Sequence, residues 1–149
     1  MATTWMLIAH MGGARLFQQR SSGWTLLRTI EHPEGRAAGH ELVSDRPGRI
    51  HKGPGGVQSA YDATHDPREV EADAWSRTLV EALHHAAGEN AYDALVIAAP
   101  PRLLGLLRSM APKEVKRRIT AEYNHDYGQL DDAAAVAAVD KQLTTLPPG

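Results

Sequence analysis

The chain has 149 residues, 42% of them hydrophobic and 23% charged, with a formal net charge of −2 and no cysteine. That length suits one domain with a real core, and the missing thiols exclude a disulfide framework, a thiolate nucleophile and a cysteine-held metal. No apolar run nears the roughly 20 residues that cross a bilayer, and the amino terminus lacks an export signal's basic start and apolar length, so a cytoplasmic protein is expected.

Thr4–His10 reads as a buried strand, and Met11-Gly12-Gly13 as a turn whose paired glycines accept positive φ. Ala14–Gln19 alternates and should return antiparallel; after Ser21-Ser22-Gly23, Trp24–Ile30 completes a three-strand meander. Asp66-Pro67-Arg68-Glu69 has the cap, first-turn proline and capping-box acid of a helix start. This helix should end at Gly88 and bury Val70, Ala74, Thr78, Leu79, Ala82, Leu83 and Ala86, with Trp75 flanking. Tyr92–Ala99 has the unbroken apolar character of a strand covered on both faces. Arg102–Met110 should be a helix with Leu103, Leu104, Leu106 and Leu107 inward, followed by a turn over Lys113–Arg118 and a last strand, Ile119–Tyr123. An alanine-rich helix over Asp131–Leu143 closes a β-β-β-α-β-α-β-α order, which predicts a three-layer α/β domain.

The stretch between Ile30 and Asp66, a loop at about 31–66, fits none of these rhythms. Structureless loops longer than about 12–15 residues are uncommon in compact domains and usually functional or disordered. Here Arg36, Arg46, Arg49 and Lys52 lie among glycines and prolines, with His40 and His51. In Ser44-Asp45-Arg46-Pro47-Gly48-Arg49, Asp45 and Pro47-Gly48 favour a bend, and Arg46 and Arg49 offer forked donors suited to phosphate or carboxylate. An equally simple reading pairs those arginines with Asp45 or the acidic helix.

Charge is segregated as well. Residues 62–93 carry eight acids against two bases, and residues 101–118 carry six bases, Arg102 among them, against Glu114. Such a chain could turn a basic face to RNA, or simply hold solvated helix faces that pair with one another.

Several of these segments together carry a family signature: Thr4–Ala9, Ala14–Phe17, Ser44–Arg49 and Leu95-Val96-Ile97-Ala98-Ala99-Pro100-Pro101-Arg102-Leu103-Leu104-Gly105-Leu106-Leu107-Arg108. They closely resemble the bacterial host attachment proteins, over about Thr4 to Leu143. His10 stands where members commonly have Asp, and Asn124-His125-Asp126-Tyr127-Gly128 where they usually have Lys-Asp-Leu-Thr. That family is similar to the middle domain of archaeal and eukaryotic peptide-release factors, which implies a ribonuclease H-like mixed sheet of order 3-2-1-4-5. Gly55-Gly56-Val57-Gln58 occupies the position of the release-factor Gly-Gly-Gln tip, but Val57 changes the register, so the hydrolase activity does not carry over.

Catalytic readings fare poorly against the sequence. Two-metal phosphodiester hydrolysis needs converging carboxylates, and neither the first strand nor Ala94–Ala99 has one. The eight histidines include no zinc-helix spacing, and no Gly-x-Ser-x-Gly elbow occurs. The resulting expectation is a non-enzymatic, translation-associated binding protein without cofactor or metal. It would contact ribosomal RNA or tRNA through Arg36, Arg46, Arg49, Lys52, Gly55, Gly56, Gln58 and Arg102. The alternative is a cytoplasmic interaction or regulatory protein required for attachment to host cells, with other proteins as partners. A peptidyl-tRNA hydrolase working through Gln58 is the least favoured reading.

Overall fold

Alternation of period two sorts the strand side chains between two cores, because successive side chains point to opposite faces. In the computed structural model, which describes residues 2–32 and 67–145, β1 (Thr4–His10) sends Leu7 and Ala9 to one face and Met6 and Ile8 to the other. β4 (Ala94–Ala99) likewise sends Leu95, Ile97 and Ala99 one way, Val96 and Ala98 the other. These two strands are parallel neighbours at the centre of the sheet.

β2 (Gly13–Arg20) runs antiparallel to β1, β3 (Gly23–Glu31) runs antiparallel to β2, and β5 (Ile119–Asn124) lies parallel to β4. The order is β3-β2-β1-β4-β5, the mixed five-stranded layout that the resemblance implies. Helices α1 (Pro67–Gly88), α2 (Pro101–Met110) and α3 (Lys113–Lys116) cover the first face, where Trp75, Leu79, Leu83, Leu103, Leu107 and Val115 are buried. The second face holds α4 (Asp132–Thr145), whose Ala135 and Val139 bury against Met6, Ile8 and Phe17. Three layers result.

Several local expectations shift. Positive φ falls at Gly23 (132°) and not at Gly12 or Gly13. The β1–β2 turn instead needs glycine for space, because a Cβ on Gly13 would lie 3.1 Å from the Ile30 carbonyl oxygen. α1 buries Ala72, Trp75, Ser76, Leu79, Val80, Leu83, Ala86 and Ala87, while Val70, Ala74 and Thr78 face solvent. The buried stripe is turned from the expected one because the indole of Trp75, the largest apolar group on the helix, takes the inward position. In α2, Leu106 is only half-buried. α1 ends at Gly88 as expected, but the left-handed cap is Asn90 (φ 55°), with its N–H on the Ala87 carbonyl and the Ala91 N–H on the Ala86 carbonyl. That is a Schellman ending with Asn in place of the usual glycine. The Asp66 and Glu69 side chains expected to cap α1 lie outside the described residues.

Two polar hubs lock the frame. The half-sequestered Arg118 guanidinium donates to the carbonyls of Tyr92, Glu114 and Ala87 and to the Asn90 side chain, tying the end of α1 to α3 and β5. Arg15 on β2 donates to Leu130 O, Tyr127 O and Asp132 Oδ1, pinning the β5–α4 connection to the sheet. The basic stretch of 101–118 is thus partly consumed by structure, with Arg108 on Glu122 and Arg117 on Glu114.

Tyr92 is fully buried, stacks on Trp5 (centroids 4.8 Å apart) and donates its hydroxyl to the Leu83 carbonyl at 2.9 Å. Burial pushes its phenol up to about 12, against the smaller opposing pull of Arg118. The neutral form is therefore the folded form. Its contribution to stability is complete below the unfolded phenol's value of about 10 and is lost as pH rises through the folded one. Tyr92→Phe is expected to cost about 1 kcal/mol at neutral pH and to flatten this alkaline loss, as read by urea unfolding at a series of pH values.

Candidate functional site

The carboxyl ends of the parallel strands meet at one edge of the sheet: His10 closes β1, Ala99 closes β4 and Asn124 closes β5. Because β2 and β3 alternate in direction, Glu31 at the end of β3 pairs with Gly13 and returns to that same edge. α1, α2 and α4 also begin there, since each follows or precedes a strand across the sheet. Three positive helix ends and both attachment points of residues 33–66 are thereby gathered on one rim.

His32, the last described residue before that segment, is buried and donates its N–H to the Gly12 carbonyl at 3.2 Å. Its ring stacks on Trp75 with centroids 4.2 Å apart and planes at 10°. Its Nε2 lies 3.1 Å from Glu71 Oε1 on the first turns of α1. Trp75 in turn donates its indole N–H to the His10 carbonyl at 2.6 Å. So the chain leaving β3 and the helix that receives it after residue 66 are joined directly, beside a cavity of about 390 Å³ under Ile30 and Thr78.

Across the rim, His10 Nδ1 accepts the Gly12 N–H at 3.1 Å, which leaves the ring proton on Nε2 in the neutral form. The His10 ring fills the space where Gly128 would carry a side chain: a Cβ there would lie 2.6 Å from His10 Cγ and 2.9 Å from Asp126 Oδ1. Asp126 accepts the Gly128 N–H at 2.8 Å, and His125 and Tyr127 touch with ring centroids 4.4 Å apart. α4 is capped by Asp131, whose carboxylate accepts the Ala134 N–H. α2 has no side-chain cap; Pro100 precedes it and Arg102 is exposed in its first turn.

Of the residues expected to form the site, Arg102 is on this rim. Arg36, Arg46, Arg49, Lys52, Gly55, Gly56 and Gln58 lie outside the described residues. Sequence reasoning passed over His32, Glu71 and Trp75. The signal for them was modest: a histidine just past the end of a strand and a tryptophan one helical turn beyond an acid. Among the described residues, no group of three or more histidine or carboxylate side chains gathers as a metal site.

The family described as "Protein required for attachment to host cells" matches residues 5–139. No curated protein matches the sequence. Among solved structures the chain is similar to an archaeal protein (TM-score 0.44, 9% identity, 96% of this chain and 39% of that one). It is similar to S. cerevisiae Dom34, a translation termination-like factor involved in RNA quality control pathways and interacting with Hbs1 (TM-score 0.43, 11% identity, 95% and 38%). It is also similar to the PilM–PilN type IV pilus biogenesis complex (TM-score 0.46, 10% identity, 99% and 47%). The chain spans less than half the length of each of these structures.

The fit of His10 against Gly128 gives a direct test. Gly128→Ala is expected to destabilise the protein by about 1–3 kcal/mol through overpacking. Combining it with His10→Ala should recover part of that loss, giving a non-additive double-mutant cycle in thermal or urea unfolding.

Proposed function

Because the chain belongs to the family of proteins required for attachment to host cells, we propose that it works by binding, presenting the carboxyl rim of its sheet and the 33–66 segment to ribosomal RNA or tRNA without catalysing a reaction. The observation that carries this reading is topological. Both ends of a segment holding Arg36, Arg46, Arg49 and Lys52 attach where three helices begin, and Arg102 stands on the first turn of α2, which has no side-chain cap. Positive helix ends and guanidinium groups on one rim suit phosphate oxygens.

The charges elsewhere are less suited to that role, since Arg108, Arg117 and Arg118 already face Glu122 or Glu114. Phosphate contacts release counterions, so affinity should fall steeply with salt. With about five contacts, binding to ribosomes or tRNA should weaken by on the order of 10²–10³-fold between about 50 and 200 mM salt. Arg46→Ala or Arg49→Ala should each lower the salt slope by about 0.7–0.9, and Arg117→Ala should leave it unchanged. Co-sedimentation and filter binding measure both quantities; absence of association at low salt rejects the reading.

Membership of the family favours a second reading, a cytoplasmic interaction protein that supports attachment through protein partners. A strain deleted for the protein should then attach poorly to host cells, and normal attachment would exclude that role. No described helix is long and apolar enough to cross a membrane.

A further inference from the structure

Alternation along β2 and β3 brings Phe17, Trp24 and Leu26 to the second face of the sheet. Phe17 and Trp24 join the core beneath α4, and Leu26 stands opposite Phe17 in the strand pairing. α4 buries Phe17 but leaves Leu26 exposed, and a groove of about 470 Å³ lies between β3 and the helix. Its helical wall is Ala133, Val136 and Ala137, one stripe of α4 at i, i+3 and i+4.

Polar ties mark the two ends of the groove. Near the rim Arg15 holds Asp132 at 2.9 Å, and further along the helix Trp24 donates its indole N–H to Asp140 at 3.1 Å. Asp132 and Asp140 are eight positions apart on α4, a rise of about 12 Å. These two acids are not equivalent. Asp132 sits at the positive end of α4 and faces a guanidinium, so its charge is answered twice. Asp140 lies toward the negative end, half-buried, and its partner is a neutral indole N–H; among the described residues no cation pairs with it. A neutral donor leaves the carboxylate its full charge, beside apolar side chains that weaken solvent screening. Both charged residues lining the groove are acids, so what it lacks is a cation at the end away from the rim.

We propose that this groove docks an extended segment of a partner protein that carries an apolar side chain and, two positions along, an arginine or lysine. The apolar side chain rests on Phe17 between Leu26 and Val136, and the basic one reaches Asp140. Residues two apart in an extended chain share a face and are spaced by about 7 Å. That matches the rise of about 6 Å between Val136 and Asp140, one turn apart on α4. Ala133 and Ala137 have no bulk to hold the incoming backbone away. The segment lies on the face of β3 and needs no hydrogen bond to its outer edge. An acidic or uncharged segment would gain the apolar contact but leave Asp140 unanswered. This surface is separate from the phosphate-binding rim, goes beyond that role and does not depend on it.

The test is selection of a random phage-displayed peptide library against the full chain, then titration of the ¹⁵N-labelled protein with the selected peptides made synthetically. Those peptides should pair an apolar residue with arginine or lysine and shift the amide signals of Trp24, Leu26, Val136 and Asp140. Asp140→Asn keeps an oxygen for the Trp24 N–H while removing the charge, and should weaken binding several-fold. Leu26→Ser should weaken it about tenfold. Ala137→Arg, at an exposed helix position, fills the groove with a cation one turn from Asp140; it should abolish binding and leave the thermal midpoint unchanged. Glutamate in place of the peptide's basic residue should abolish binding too. The proposal is overturned if no peptide is selected, if the selected peptides lack a basic residue or shift signals elsewhere, or if affinity is indifferent to Asp140→Asn and Ala137→Arg. A concentration-dependent dimer in sedimentation that Ala137→Arg dissolves would seat a second copy in the groove and overturn it as well. Arg46→Ala, which alters the salt slope of RNA binding, should leave peptide affinity unchanged, so the two readings fail separately.

Discussion

One side chain, Trp75, joins the parts of the molecule that the connectivity would otherwise leave loosely related. Its indole N–H holds the last carbonyl of β1, its ring stacks on His32 beyond β3, and its apolar body seats α1 on the sheet. The 33–66 segment, 34 residues long, lies between His32 at the end of β3 and the start of α1. Closing a loop of that length costs only about 3 kcal/mol on the logarithmic scaling, apart from a constant. A ring stack, the 3.1 Å approach of His32 to Glu71 and one buried tryptophan are together of that order, so a small contact is enough to fix both ends.

The two faces of the sheet are held differently. On one side Trp75, Leu79, Leu83, Leu103 and Leu107 build a core beneath three helices. On the other, the alanine-rich α4 contributes little apolar bulk, and polar ties supplement it: Arg15 to Asp132, Trp24 Nε1 to Asp140, and the Asp131 cap. Small side chains let α4 lie close to the sheet, and the ion pair and hydrogen bonds set its position. Among the described residues, β5 is the outer strand of the sheet between this sparse layer and α2.

Much of this architecture is legible in the residues. The apolar run Trp5–Ala9, the Gly-Gly turn and the uninterrupted Leu95–Ala99 segment define strands whose type follows from period and length, whereas their order in the sheet is implied only by the family resemblance. The azimuth of α1 is not legible from periodicity, because alanines and threonine around it satisfy two adjacent stripes equally and only the tertiary partners of Trp75 choose between them. Asn90 also escaped, since Gly88 is the stronger local stop and the cap that forms depends on carbonyls of Ala86 and Ala87 in the last turn of a packed helix end. The site is half legible. Basic residues of the insertion stand out by composition, whereas His32 acquires meaning only when distant strands end at one rim.

β3 carries Leu26 and Leu27 at 41% and 40% exposure on an outer strand, an arrangement that in a flat sheet would invite a neighbouring molecule to add a strand. The register slips there, with Phe17 opposite Leu26 and Leu16 opposite Arg28, so Leu27 has no counterpart. That supernumerary residue breaks the even spacing of amides and carbonyls along the open margin and sharpens its coil. An incoming chain would meet a ladder with a displaced rung, so the same irregularity that leaves two leucines in water also guards the molecule against polymerising through them.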